Sequence, residues 1–320
     1  MTKHEMIKLE PQAVWQDELA GYTLRNASLG PNNEICLLLA TSDPELIDGS
    51  FPQSKTAERI DYKVILLSDG IKTVIPIPQQ PWNYHSIQLL GADQLLLVCA
   101  RAIKYENGEV DENARIFDTE GNFIRSFCLG DGIEHVSATA DKKIWTGYFD
   151  EGVFGNYGWD DPIGKHGLIN WNEFGEIIYT YEQPDKHFIM DCLALNAPSD
   201  DEVWFKCGLW DSQIGSRKNG KTTYYMNEEV PLYLSAFAMA GDYLLSDDTG
   251  RNNGVFHLAE RIDAAYHKVG ELRFMNPEGN EIFPIRVSGR GSKLLLQSEN
   301  ESYLFDLAEY KNKHLPTQDS

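Results

Sequence analysis

The stretch from Ile144 to Ile177 concentrates residue types that could bind a ligand or take part in acid–base chemistry. Its carboxylates, Asp150 and Asp160 among them, lie between aromatic residues and glycines rather than in a solvated run of charge. Neighbouring rings exclude water from a carboxylate, and this desolvation shifts its pKa, as often happens at functional sites. We therefore predict a ligand-contacting loop whose contact residues are Tyr148, Asp150, Glu151, Asn156, Trp159, Asp160 and His166.

The same loop admits a structural interpretation. Asp150 and Asn156 have short polar side chains that can hydrogen-bond nearby backbone amides and so brace a compact loop. If they brace it, replacing either by alanine lowers the melting temperature, because a buried group left without its partner costs about 1 to 3 kcal/mol. If Trp159 and Asp160 are exposed contacts, their replacement weakens binding and leaves stability nearly unchanged.

Three histidines, each at or near the start of a predicted innermost strand, form a candidate metal site: His85, His135 and His187. Imidazole is a common ligand of zinc and other divalent metals. Their separations from the turns that follow differ, so the three need not lie at one height. The alternative is that each histidine hydrogen-bonds or packs locally. Apart from this candidate divalent metal, the sequence predicts no cofactor.

Catalytic motifs give little support for a named reaction. The run Gly215–Thr222 satisfies the phosphate-loop pattern G-x-x-x-x-G-K-[ST], but that pattern binds phosphate only where a strand precedes it and a helix follows. Here the strand-like run Thr223–Met226 follows, so we interpret the match as chance. The sequence also has no G-x-S-x-G elbow, no H-E-x-x-H pair and no D-x-D-x-D-G calcium loop.

The charge balance restricts the class of partner. The 320 residues include 28 basic and 49 acidic ones, for a formal net charge of −21, which repels nucleic-acid backbones and anionic lipid surfaces. We therefore expect a protein or small-molecule partner, with no nucleic acid and no membrane. The apolar runs, such as Ile35–Ala40, have the length of strands. With five widely spaced cysteines, this predicts a cytoplasmic protein with free thiols.

A recurring pattern organises the chain: an alternating apolar run, a tight polar turn and a more strongly apolar run, followed by a loop and a second hairpin. Turns of the first hairpin recur roughly every 40 to 60 residues, a spacing typical of four-stranded propeller blades. The six turns are centred on Asn32, Ala92, Asp141, Ser199, Gly241 and Arg290. The last unit ends at Tyr303–Leu307 without a fourth strand, which Met6–Leu9 or Ala13–Trp15 could supply, so that no sheet edge is left open.

The whole chain resembles a six-bladed β-propeller, and Gly147–Asn156 is also similar to a motif of uncharacterised bacterial propeller-like proteins. The second resemblance implies no activity. Typical WD40 signatures are absent, since the two Trp-Asp pairs, Trp159-Asp160 and Trp210-Asp211, lie in predicted loops. We predict an all-β fold of six four-stranded antiparallel blades, closed as a ring by N- and C-terminal strands. Residues 1–320 then form one domain with a short polar tail, 312–320, and at most a short helix near 258–266. A pair of β-sandwiches is the competing fold.

Five loops between second and third strands are predicted to be long and to lie on one face: 41–59, 101–113, 148–167, 208–221 and 246–270. Ordered long loops are commonly functional. The leading hypothesis is a non-catalytic binding module that presents an aromatic and acidic loop surface to a protein or small ligand. The alternative is a carboxylate- or divalent-metal-dependent hydrolase or lyase at the channel mouth. A third hypothesis is a cytosolic immunity or regulatory protein whose acidity suits a basic target.

Overall fold

The structure is a computed structural model that describes residues 3–42, 52–207, 213–227, 234–248 and 254–315. Of these residues, 55% lie in strands and 7% in helices, which confirms the all-β prediction. The strands are β1 (Lys3–Lys8), β2 (Pro11–Val14), β3 (Thr23–Leu29), β4 (Ile35–Ala40), β5 (Lys55–Ser68), β6 (Ile71–Trp82), β7 (Ser86–Leu90), β8 (Gln94–Val98), β9 (Ala114–Asp118), β10 (Phe123–Phe127), β11 (Ile133–Ala138), β12 (Ile144–Tyr148), β13 (Leu168–Trp171), β14 (Ile177–Thr180), β15 (Cys192–Ser199), β16 (Glu202–Cys207), β17 (Gln213–Lys218), β18 (Lys221–Asn227), β19 (Phe237–Ala240), β20 (Tyr243–Ser246), β21 (Phe256–Ile262), β22 (Ala265–Met275), β23 (Arg286–Arg290), β24 (Lys293–Gln297) and β25 (Glu301–Asp306).

Helices are few in the described part of the chain. The α-helices are α1 (Asp150–Phe154) and α2 (Leu307–His314), and two short 3-10 helices span Ile163–His166 and Asp185–His187. No helix among the described residues is long and apolar enough to cross a membrane.

The chain divides into two compact units, and the unit of residues 17–192 contains three four-stranded antiparallel sheets. Each is a meander in which neighbouring strands pair in chain order: β3 to β6, β7 to β10, and β11 to β14. Strands with an apolar residue at nearly every position, such as β4 and β8, are buried along their length. Their side chains form two buried clusters that stabilise the sheets against each other.

The other unit, residues 1–16 with 193–320, contains a fourth blade that both ends of the chain build. Strand β2 pairs antiparallel with β25, with Pro11 opposite Tyr303. Trp15, fully buried, donates its indole N–H to Ser302 Oγ at 2.6 Å. The predicted pairing of an N-terminal strand with the last blade is therefore confirmed.

The predicted number of blades is wrong. The structure describes four separate four-stranded blades rather than six, and the remaining strands share one nine-stranded sheet. That sheet joins the meanders β15 to β18 and β19 to β22 through a short parallel pairing, with Met226 opposite Ala265. β1 adds a further parallel pairing along β22. The physical reason is the length of β22, whose 11 residues offer pairing positions to β18, β21 and β1. The described part of the chain is thus all-β, and 16 of its strands form four-stranded antiparallel sheets of the kind that builds propeller blades.

Three local predictions from the sequence can also be compared with the structure. The helix expected near residues 258–266 is instead the hairpin of β21 and β22. Gly215–Thr222 is the hairpin of β17 and β18, so the phosphate-loop pattern has no helix behind it. The tail expected from residue 312 begins inside α2, whose Tyr310 is buried. Residues 316–320, and parts of the predicted loops 41–59, 208–221 and 246–270, lie outside the described residues. A single domain over residues 1–320 stays a prediction.

Candidate functional site

Two of the predicted long loops, residues 101–113 and 148–167, contact each other in the unit of residues 17–192. Lys104 N–H donates to the carbonyl of Tyr157 at 3.0 Å, and the indole N–H of Trp159 donates to the carbonyl of Ala102 at 2.7 Å. Gly158 has φ +84°, and a Cβ added there would overlap the carbonyl oxygen of Lys104. These contacts join the loops into one layer, which we call the paired loops.

The buried side chain of Arg101 holds the paired loops in place. The side chain of Arg101 is 1% exposed, and its Nε and Nη2 each donate to a carboxylate oxygen of Asp131 at 2.9 Å. Its Nη1 pairs with Glu151 in α1, and the guanidinium lies 4.2 Å from the ring centroid of Tyr157. Burial raises the pKa of Asp131, and the charge of Arg101 opposes that shift. Because Arg101 is shared by both carboxylates, it fixes the position of α1.

Two residues predicted as ligand contacts, Tyr148 and Trp159, are buried. The Tyr148 hydroxyl donates to the carbonyl of Leu129 at 2.5 Å, and burial raises the pKa of Tyr148 above its usual range. Trp159 is 7% exposed and lies under the ammonium group of Lys104. The interpretation of Trp159 as an exposed contact is wrong, because its ring fills the space between the two loops.

Three other predicted contact residues are exposed: Asp150, Asn156 and Asp160. Asp150 Oδ1 accepts the N–H of Glu151 at 2.7 Å, and Asn156 Oδ1 accepts the N–H of Tyr157 at 2.8 Å. These two side chains therefore make the bracing bonds of the structural interpretation while their surfaces remain open to solvent.

The other two predicted contacts, Glu151 and His166, are partly buried. Glu151 pairs with Arg101, as described above. His166 lies in the 3-10 helix Ile163–His166, with Nδ1 3.1 Å from the carbonyl oxygen of Tyr181. Both side chains are thus occupied by contacts within the chain.

An exposed aromatic pair lies beside these residues. Phe154 is 60% exposed and Phe188 is 40% exposed, yet their rings stack with centroids 6.1 Å apart and planes 25° apart. Phe154 is the last residue of α1, and Phe188 follows the 3-10 helix Asp185–His187. We call these two rings the Phe154–Phe188 pair. Phe154 lies within the aromatic stretch 144–177, for which the sequence predicts a ligand-contacting loop, whereas Phe188 lies outside it.

Carboxylates accompany the aromatic pair. Asp150 and Phe154 are four residues apart in α1 and so lie on the same side of the helix. The backbone N–H of Asp150 donates to Asp191 Oδ1 at 2.8 Å. Burial raises the pKa of Asp191, and the negative charge of Asp150 adds to that shift. The exposed apolar rings thus have acidic groups on the segments that hold them.

The three candidate metal ligands do not form a site. His85 Nδ1 accepts the N–H of Ala100 at 3.2 Å. His135 lies in β11, and the backbone carbonyl of His187 accepts the hydroxyl of Tyr181 at 2.7 Å. Within the ranges that the structure describes, no group of three or more His, Cys, Asp or Glu residues is placed to hold a metal ion. The structure therefore does not bring His85, His135 and His187 together as ligands.

No protein-family profile matches the chain, and no curated protein matches it either. Among solved structures, the chain is similar to the RRP9 WD40 repeats, at 7% identity and a TM-score of 0.47 over 88% of this chain and 94% of that one. It is similar to U3-55K at 7% identity and a TM-score of 0.45, over 88% and 95%. It is also similar to the Cps50 (Swd1) β-propeller domain of Myceliophteria thermophila, at 13% identity and a TM-score of 0.47, over 88% and 83%. Likeness at this level assigns no function.

Proposed function

We propose that this chain is a non-catalytic, protein-binding module of the cytoplasm, and that the Phe154–Phe188 pair is the centre of its binding surface. The observation that carries the proposal is the exposure of two stacked phenylalanine rings, 60% and 40%. Large aromatic side chains dominate the binding energy of many protein interfaces. Two such rings in contact with each other and with water form a ready apolar anchor point.

The charge around the anchor favours one class of partner. Asp150 and Asp160 are exposed on the same loop as Phe154, and the chain carries a net charge of −21. Complementary charge speeds association and disfavours partners of like charge. We therefore expect a partner segment in which an apolar side chain, placed on the phenylalanines, is flanked by lysine or arginine.

The surface is also held in place before a partner binds. Arg101 pairs with Glu151 in α1, and Gly132 approaches Gly152 so closely that a Cβ at Gly132 would overlap the backbone of α1. A helix fixed in this way loses little conformational freedom when a partner arrives, so less of the interaction energy is spent on ordering.

Peptide selection from a random library tests this proposal. Peptides selected on the natural chain should be enriched in an apolar residue flanked by basic ones. Their affinity, measured by fluorescence anisotropy, should fall at least about fivefold in Phe154→Ala and in Phe188→Ala, since truncating an interface anchor costs more than about 1 kcal/mol.

The matched control is Phe174→Ala. Phe174 is also 60% exposed and lies under the guanidinium of Arg125, in the turn between β13 and β14. Its removal should leave peptide affinity unchanged. Equal binding by all three variants would refute the placement of the surface, and the absence of any enriched peptide would refute the binding module itself.

A further inference from the structure

A lysine ammonium group lies among two aromatic rings and a buried carboxylate in the unit of residues 17–192. Lys55 Nζ is 2.7 Å from Asp111 Oδ1 and 3.2 Å from the hydroxyl of Tyr105. It also lies 5.4 Å from the ring centroid of Trp82 and 5.1 Å from that of Tyr105. An ammonium group is attracted to the face of an aromatic ring at such distances. We call Trp82, Tyr105 and Asp111 the ammonium cage.

Contacts other than Lys55 hold the carboxylate of the cage. The Asp111 side chain is fully buried, and Oδ2 accepts from Ser54 Oγ at 2.5 Å and from the N–H of Ile103 at 3.1 Å. Oδ1 accepts from the Tyr105 hydroxyl at 3.0 Å. Burial opposes ionisation, but the hydrogen bonds from Lys55 and these donors outweigh it and lower the pKa of Asp111. The bonds from Ser54, Ile103 and Tyr105 fix the position of this carboxylate independently of Lys55.

The rings are held as well. Trp82 is 9% exposed and stands opposite Lys55 across the β5–β6 pairing. The guanidinium of Arg115 also lies over the Trp82 ring, 4.8 Å from its centroid. Tyr105 is 37% exposed, and its hydroxyl is fixed by Asp111. These contacts keep the walls of the cage in place whichever cation is bound.

Lys55, in contrast, is accessible to solvent. Its side chain is 51% exposed, and it lies at the first residue of β5. A half-exposed lysine chain has many rotamers open to water, so release of Lys55 to solvent gains side-chain entropy. The anion and the rings are thus fixed, while the cation can leave for solvent.

We propose that the ammonium cage is a binding site for a primary alkylammonium group, either a lysine side chain of a partner or a free amine, and that Lys55 is an internal competitor for it. The site lies on residues separate from the Phe154–Phe188 pair and does not rest on the function proposed above. A compact ammonium with three donors matches one carboxylate, one hydroxyl and two ring faces.

An internal competitor has a measurable consequence. A group tethered next to its site acts at an effective concentration on the order of millimolar or higher. An external amine must displace Lys55, so its apparent affinity is reduced by the fraction of cages that Lys55 occupies. Replacing Lys55 by alanine should therefore raise the affinity for an external amine at least about tenfold.

The test is a titration of the natural chain and of Lys55→Ala with n-butylammonium and with Nα-acetyl-lysine methylamide, at constant ionic strength. Melting temperature and NMR shifts of the Trp82 indole report binding, because a ligand specific for the native state raises its stability. Lys55→Ala should be stabilised by the amines at concentrations that leave the natural chain unchanged. Binding of butylammonium alone identifies a free amine as the ligand, and tighter binding of the lysine derivative identifies a lysine side chain, because only that probe carries flanking peptide groups.

Two control variants make the result decisive. Lys63→Ala removes another lysine of β5, which lies over the ring of Tyr22 at 3.8 Å, and should not create amine binding. Adding Asp111→Asn to Lys55→Ala should abolish it. Equal responses of Lys55→Ala and the natural chain would overturn the proposal, as would an unchanged response in the double variant. If the alanine variant does not fold, Lys55→Gln keeps a donor to Asp111 and undergoes the same titration.

Discussion

Replacing Arg101 by methionine should destabilise the unit of residues 17–192 severely. Methionine keeps most of the apolar volume but removes both bonds to Asp131 and the pair with Glu151. The Asp131 side chain is 0% exposed, and its Oδ1 would still accept the backbone N–H of Ala102 at 2.8 Å. Breaking a buried ion pair from one side costs about 3 to 5 kcal/mol. That is a large share of the roughly 5 to 15 kcal/mol by which native proteins are stable.

Urea unfolding followed by circular dichroism measures the effect, as a shift of the midpoint at unchanged slope. The double variant Arg101→Met with Asp131→Leu should recover much of the loss, because no uncompensated buried charge remains. As a control, Lys165→Met breaks an ion pair of the same loop, with Asp161 at 2.6 Å, whose two side chains are 47% and 78% exposed. Its effect should stay within about 0.5 kcal/mol.

A loss below about 1 kcal/mol for Arg101→Met would refute the reasoning, since exposed ion pairs reach that value at most. It would mean that water reaches Asp131 once the arginine is gone. A double variant no more stable than Arg101→Met would show instead that the guanidinium acts through packing on Tyr157 rather than through charge.

Two further predictions concern other parts of the chain. Asp191→Asn keeps an acceptor for the N–H of Asp150 but removes a charge whose pKa burial raises above the ordinary 3.8. The folded state then binds the proton more tightly than the unfolded state, so stability falls as pH rises through that window. The asparagine variant should therefore melt higher than the natural chain at neutral pH and show a shallower fall with pH; an unchanged pH profile would contradict this. Trp15→Ala removes a fully buried ring and its bond to Ser302, and should cost about 3 to 5 kcal/mol in urea unfolding, whereas a neutral effect would mean that β2 does not complete the last blade.

The strand pattern was largely predictable from the sequence, because it depends on local apolar runs such as Ile35–Ala40 and on turn residues that alternate with them. The helix expected near residues 258–266 shows where local propensity fails. Its alanines and leucine favour a helix, but pairing of β21 with β20 and β22 overrides that preference. Asp263 takes φ +54° in the turn, a conformation that a helix does not use.

The site was predictable only in part, because its decisive contacts join residues far apart in the chain. The indole N–H of Trp159 donates to the carbonyl of Ala102, which lies 57 positions away in the chain, and the ring is buried there. Arg101 is buried in an ion pair with Asp131. An arginine is expected to be exposed unless it is paired, and its sequence neighbours do not reveal that partner. The aromatic and acidic character of the loop is visible in the sequence, but which of its rings face solvent depends on the neighbouring loop.

The pairing of β1 with β22 and of β2 with β25 sets the order in which the chain can fold during synthesis. Residues 17–192 are continuous, so this unit can complete its three sheets while the ribosome is still adding later residues. β1 and β2 are made before this unit, yet their partners are Ala265–Met275 and Glu301–Asp306, which are made after it. The two strands must therefore wait until residues 17–192 and their own partner strands have been made. Such long-range pairings form slowly and expose the waiting strands to aggregation or chaperone capture.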